Sequence, residues 1–518
     1  MEGHNGDLSS DFIVASGSTT GRFNLPTYCR VVLILAVGCI GAQAQEMHDH
    51  PIPERLGVAL FPISCAPSTQ DEFNRGVALL HSFAYAASRT SFDRVATTDP
   101  SCAMAHWGTA MTFFHQLWEP PLPERTLPVA ETEVETAKRI GSRDPRESAY
   151  IHALSLLFQD RGTTTLDVRN RRYESAMADL AARNKTDVEA QVFYALALLS
   201  NVEPTDKTHA RQKRALAILE PLDRAYPDHP GITHYIIHAC DSTELAQRGE
   251  AAARKYSQIA PAAPHALHMP SHIFTRLGLW DDSIASNLAA SKAAKEQGDV
   301  GEELHAMDYL VYAYLQVGRY DDASHVIDEL NAMRNLEVAD FKVGYAATAM
   351  PVRYAIERHQ WKEASKIEPA EGLPPHVGAI AVWARALGRA RGGRPSDTGG
   401  DLVALAGYEA QLRRAGDDYW AAQVNILREE VLSWTAQTNA KLEDAEARMR
   451  AAADEEDSME KLPVTPGPIV PAREQLGELL LEQERSQEAI AAFKASLMNA
   501  PGRKGALEGL ARASQATR

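Results

Sequence analysis

Two short stretches of this 518-residue chain are dense in imidazole. "THYIIHACD" carries His234, His238 and Asp241, and "APHALHMPSH" carries His265, His268 and His272. On a helix, side chains three or four residues apart share a face. His234/His238 and His268/His272 are therefore each spaced to hold one ion, as two histidines one turn apart do in zincin helices. Neutral imidazole ligates zinc, copper, iron or nickel, and mixed His/Asp sets recur in catalytic centres. The candidate metal ligands are His234, His238, His268 and His272. Asp241, His265, His305 and Asp308 would complete or orient their shell. In a catalytic site, water held by such an ion is the natural nucleophile. Met269 and Cys240 carry softer donors but fall on other helix faces. Helical histidine also hydrogen-bonds, stacks or caps without any metal, so the spacing alone does not decide.

The rest of the chain limits what such a site could serve. Its net charge is -16, with no clustered basic run. That disfavours nucleic acid as a partner, because phosphate binding needs a positive patch. Arg30 precedes the apolar run Val31 to Ala42, and small residues follow at Ala42 and Ala44. A run this short is the core of a secretory signal and not a membrane span. The expectation is a signal peptide over 1–44, export to the periplasm or beyond, and no transmembrane span in the mature chain. A weaker alternative is lipoprotein anchoring at Cys39, within "AVGC". Of the cysteines at 29, 39, 65, 102 and 240, the first two leave with the signal. Cys65 and Cys102 are candidates for a disulfide in an oxidising compartment, which leaves Cys240 free.

An extended segment is expected over 45–68. After that, apolar residues recur at intervals of three and four, and no run alternates as a strand would. Gly, Pro, Asp and Asn punctuate short helical stretches. An internal period is present. Leu476, Gly477, Leu480, Ala489, Phe493 and Pro501 fit the tetratricopeptide pattern of about 34 residues. Gly76, Leu79, Phe92 and Pro100 repeat its offsets, and Gly278/Trp280 and Gly318/Tyr320 mark two further turns. On these residues the chain resembles the tetratricopeptide repeat superfamily. The phrases "HALHMPSHIFTRLG" and "LPVTPGPIVPAREQLGELLLE" are similar to those of a group of exported bacterial members with no assigned activity. The resemblance implies an all-α fold, a right-handed superhelical solenoid of helical hairpins over 69–518. Its divisions would be N-terminal repeats at 69–229, His-rich central repeats at 230–335 and C-terminal repeats at 336–518. "LPVTPGPIVP", with four prolines in ten residues, must be extended and reads as a strap.

The resemblance also implies that the first helix of each repeat lines a concave groove. Aligned on the downstream Gly and aromatic markers, one first helix presents His265, His268 and His272 to that groove, with Arg276 further along. The next presents His305, Asp308 and Tyr312, and the preceding one presents His234, His238 and Asp241. The leading functional expectation is a scaffold that takes a peptide, protein or small ligand in this groove. The alternative is a metal-binding protein or metal-dependent enzyme built on the same His/Asp cluster. Elsewhere, Trp107 reads as core, and His106 and His115 as packed or capping residues. Glu474 and Glu478 read as a solvated helix face, Arg353 as a contact for an anionic ligand, and the "HDH" at His48 to His50 as part of a tail. No nucleotide loop, G-x-S-x-G elbow or H-E-x-x-H motif occurs.

Overall fold

Helices in this chain begin and stop where local chemistry dictates. The computed structural model describes residues 54–117 and 126–517, and among these every regular element is helical. Asp144, Asp187, Asp299, Asp340 and Asp417 each accept a backbone N–H at the start of a helix, satisfying donors the first turn would otherwise strand. Pro145, Pro230, Pro264, Pro270 and Pro375 open helices, where their missing N–H costs nothing. Gly278 closes one in the left-handed conformation, with φ +69°. The proposed signal segment, Cys39 and His48 to His50 lie outside the described residues.

Successive helices pair as hairpins and the hairpins stack, giving a TPR-like helical array. The packing follows the motif residues. A Cβ placed on Gly76 or Gly108 would come within 2.7 or 2.4 Å of the Phe92 ring, and Phe493 sits equally close to Gly477 and Gly509. In both units the aromatic ring fills the space because its glycine neighbours have no side chain. Most helices pack on their neighbours in sequence, but Gln70–His81 also packs against Pro230–Cys240.

Two features depart from a simple open groove. The C-terminal repeats turn back onto the middle of the array. There the Trp280 indole donates to the Gly502 carbonyl at 3.1 Å. The Arg503 guanidinium, fully buried, binds Glu474, Glu357 and the Tyr312 hydroxyl. The proline-rich strap crosses between distant repeats. Glu460 N–H donates to the Pro204 carbonyl, and Lys461 reaches Asp241. Arg353 donates to the carbonyls of Gly467 and Pro468. Arg353 is thus a structural clamp, fully buried on Asp308, and not a contact for a free anion. Glu474 is likewise buried against Arg503 and not solvated. Cys65 pairs with Cys102, and Cys240 is free and buried.

Candidate metal centre

Four helical segments position the histidines. Pro230–Cys240 carries His234 and His238. Pro264–His268 and Pro270–Leu277 carry His265, His268 and His272. Val300–Gln316 carries His305. The second and third would be one helix but for Pro270, whose ring nitrogen cannot donate to the preceding turn. All six rings are buried, between 0% and 9% exposed. They form two sets: His234, His238 and His265, then His268, His272 and His305. Within each set one ligand-capable nitrogen from each ring lies within 4.8 Å of the others. The sets adjoin, with ring centroids 6.2 Å apart for His265/His268 and 6.1 Å for His238/His272.

The outer partners define the chemistry. His234 Nδ1 lies 2.6 Å from the His81 carbonyl oxygen, and His265 Nδ1 is 3.2 Å from Glu302. His268 Nδ1 is 2.6 Å from the Asn287 side-chain oxygen, and His272 Nδ1 is 2.9 Å from Asp241. The Asn287 amide is oriented by its own donation to the Ser283 carbonyl. Each of these oxygens accepts, so each Nδ1 carries the ring proton and each Nε2 presents a bare lone pair. Those lone pairs face one another. His234 and His265 Nε2 are 3.2 Å apart, and His268 and His272 Nε2 are 3.0 Å apart. Two acceptors at that distance repel unless something positive lies between them. A second proton on a ring is opposed by burial, which holds His234, His238, His268 and His305 well below the ordinary imidazole range, reinforced by neighbouring imidazoles. Burial lowers His272 to about 4, although Asp241 pulls it the other way. Both ring nitrogens of His238 are buried without a hydrogen-bond partner, at a cost of about 1–3 kcal/mol per stranded group. A cation shared by each set removes the repulsion between the facing lone pairs and gives one of the two stranded His238 nitrogens a partner. Oxygens held on Nδ1 with bare Nε2 turned inward are the arrangement metal-ligating histidines adopt.

The surrounding charges are already balanced. Asp241 also binds Arg276 at 2.9 Å and Lys461 at 2.7 Å. Burial would raise its carboxyl, but these cations hold it well below the usual range. Glu302 is treated alike by Lys342 and His265. Burial lowers Lys461 to about 8 despite Asp241. The Tyr309 hydroxyl stands 3.5 Å from His272 Nε2, at the outer limit of a hydrogen bond.

A third group, His81, Glu189 and His229, is also close-set and buried, yet it differs in kind. His81 and His229 each meet one Glu189 oxygen, at 2.7 and 3.0 Å. His81 Nδ1 meets the Tyr235 hydroxyl, and His229 Nδ1 accepts from the Ile232 N–H. No nitrogen is left to ligate. Burial alone would raise the Glu189 carboxyl, but the two histidines lower it to about 2. This group fixes the His81 carbonyl that orients His234. Gly231 lets it pack, since a Cβ there would lie 2.5 Å from His81 Nδ1.

Placement of the residues picked out by sequence is mixed. His234, His238, His268 and His272 come together, but not as a single four-residue site. His265 and His305, expected only to complete the shell, each belong to a triad. Asp241 and Arg276 form the layer behind His272. Asp308 does not reach the chamber, because Arg353 holds it at 3.0 Å. Tyr312 also lies apart, receiving Arg503. Cys240 packs beside Gly249, with burial pushing its thiol up to about 12. Trp107 is core, His106 pairs with Glu133, and His115 stacks on Tyr85. Sequence reasoning missed Asn287, Glu302, Tyr309, Lys461 and the His81 carbonyl. Glu302 lies one turn before His305. Asn287 follows Trp280 and Ile284 on the buried face of its helix, a polar residue in an apolar stripe. Nothing local marks Lys461.

No protein-family model and no curated protein matches the chain. Among solved structures, the tetratricopeptide domain of P58(IPK) is similar at 14% identity. It covers 87% of this chain and 98% of its own, with a TM-score of 0.22. Human IFIT1 solved as a dimer with m7Gppp-AAAA is similar at 12% identity, covering 80% of this chain and 90% of its own, with a TM-score of 0.36. Likeness at these scores adds no argument about the site. Among the described residues, no helix is long and apolar enough to cross a membrane.

Proposed function

We propose that this is an exported metalloprotein, a TPR-like scaffold that holds transition-metal ions in two adjacent tri-histidine sites. The observation that carries the reading is the pair of Nε2···Nε2 approaches, 3.2 and 3.0 Å, between rings whose Nδ1 atoms are all committed to oxygen acceptors. An all-imidazole donor set suits zinc, copper, iron or nickel. Three donors per ion leave a coordination position for an exogenous ligand, as catalytic sites do. The competing reading, a peptide lying in the groove against these histidines, is disfavoured by their burial and by the strap in front of them. Export rests on the apolar N-terminal run, and the Cys65–Cys102 disulfide supports it, since such bonds persist in oxidising compartments.

Elemental analysis of the mature chain, purified from metal-supplemented cells, is expected to find about two ions per chain, one for each set of three donors. His268→Ala/His272→Ala should lose one ion and His234→Ala/His265→Ala the other, with far-ultraviolet circular dichroism confirming the helical fold. A folded wild-type chain that purifies metal-free and takes up neither zinc nor copper overturns the proposal.

A further inference from the structure

A cavity of about 600 Å³ opens on the chamber, within the roughly 300–1,000 Å³ of small-molecule sites. It runs from exposed Ala415 and Gly416 at its rim to buried His238 and the enclosed side chain of Asp241 at its floor. Phe341, Tyr419, Trp420 and Leu462 form much of its wall, and Lys461 stands beside the floor. His238 is the triad member that lines this space, and neither of its ring nitrogens has a hydrogen-bond partner. Most of the other ligands are locked from behind by oxygen acceptors. The first triad is therefore reached from the cavity through its least constrained ring.

Charge specifies the occupant further. An imidazole that ligates a metal does so as a neutral donor and brings no charge of its own. The carboxylates at the cavity and behind the rings are already engaged: Asp241 faces Arg276 and Lys461, Glu460 faces Lys207, Glu302 faces Lys342, and Asp417 accepts the Trp420 N–H. Positive charge brought by metal ions is left without a carboxylate among its ligands. In a buried setting that deficit draws an anionic donor strongly. The aromatic walls favour a flat, apolar body behind that donor.

We infer that the cavity is a ligand chamber for small aromatic anions, a ring bearing a carboxylate or phenolate oxygen that reaches the metal beside His238. This rests on the tri-histidine sites binding metal. Benzoate, with acetate as the non-aromatic control, tests it on the full mature chain loaded with Cu(II). The copper ligand-field band and electron paramagnetic resonance spectrum are expected to shift with benzoate at a concentration at least tenfold below that needed for acetate. Trp420→Ala should narrow that gap about tenfold while leaving the copper content unchanged. Copper-loaded protein that responds alike to benzoate and acetate overturns the chamber and leaves the metal sites standing. Benzoate binding that is equally tight without copper also overturns it, because the oxygen then does not reach the metal. A chain that takes up neither copper nor zinc overturns both readings.

Discussion

At the scale of single residues, metal binding depends on which atom of each imidazole bears the proton. The acceptors behind the rings set this, and they are experimentally separable from the ligands. Asn287→Ala removes the oxygen that orients His268. Loss of such a partner costs about 10–100-fold in metal affinity. A chelator competition should show that drop for one ion and not the other, with Asn287→Asp, which still accepts, recovering most of it. The chemistry-bearing histidines were legible in the sequence because their three- and four-residue spacing survives folding. Their grouping was not. Splitting the six into two triads depends on the helix break at Pro270 and on how neighbouring hairpins stagger. Lys461 was invisible for a different reason. It comes from an extended strap 220 residues away from Asp241 in sequence, and no local pattern encodes that meeting.

At the scale of elements, the repeats were readable because the Gly–aromatic contacts lie within one hairpin. The buried carboxylates between hairpins were not, and Glu456 is the clearest case. It lies on the helix Leu442–Asp457 and accepts the Ala472 N–H that opens Ala472–Glu482. Burial raises its carboxyl to about 8. The folded state therefore binds this proton more tightly than the unfolded chain does. The stability it contributes is complete below the unfolded value near 4.5 and is lost as pH rises towards 8. Glu456→Gln keeps an acceptor for Ala472 and removes the titration. It should melt above wild type at pH 8.5 by an amount worth about 2–4 kcal/mol, and show little difference at pH 5. Gly278 joins two elements as well. Its φ is +69°, and an added Cβ would lie 2.6 Å from the Pro501 carbonyl. Gly278→Ala should destabilise the chain by about 1–3 kcal/mol in denaturant melts, through a left-handed alanine and a forced retreat of the C-terminal repeats.

At the scale of the molecule, the array is turned back on itself, and that fold-back together with the strap encloses the histidines. Sequence periodicity implied an open groove because each repeat looks alike. Closure is written in isolated long-range contacts, above all Arg503 with Glu474 and Glu357. Arg503→Met strands two buried carboxylates and should cost about 3–5 kcal/mol in thermal or urea melts. It should also admit chelator to the metal faster than in wild type. The central claim is that the facing Nε2 atoms are held in place for ions. Anomalous diffraction at the zinc edge, on crystals of the zinc-loaded chain, tests this most directly. Two peaks are predicted, each about 2.0–2.1 Å from the nitrogens of one triad. A map with no peak at either triad, and His268 and His272 Nε2 still facing each other at 3.0 Å, would contradict the account.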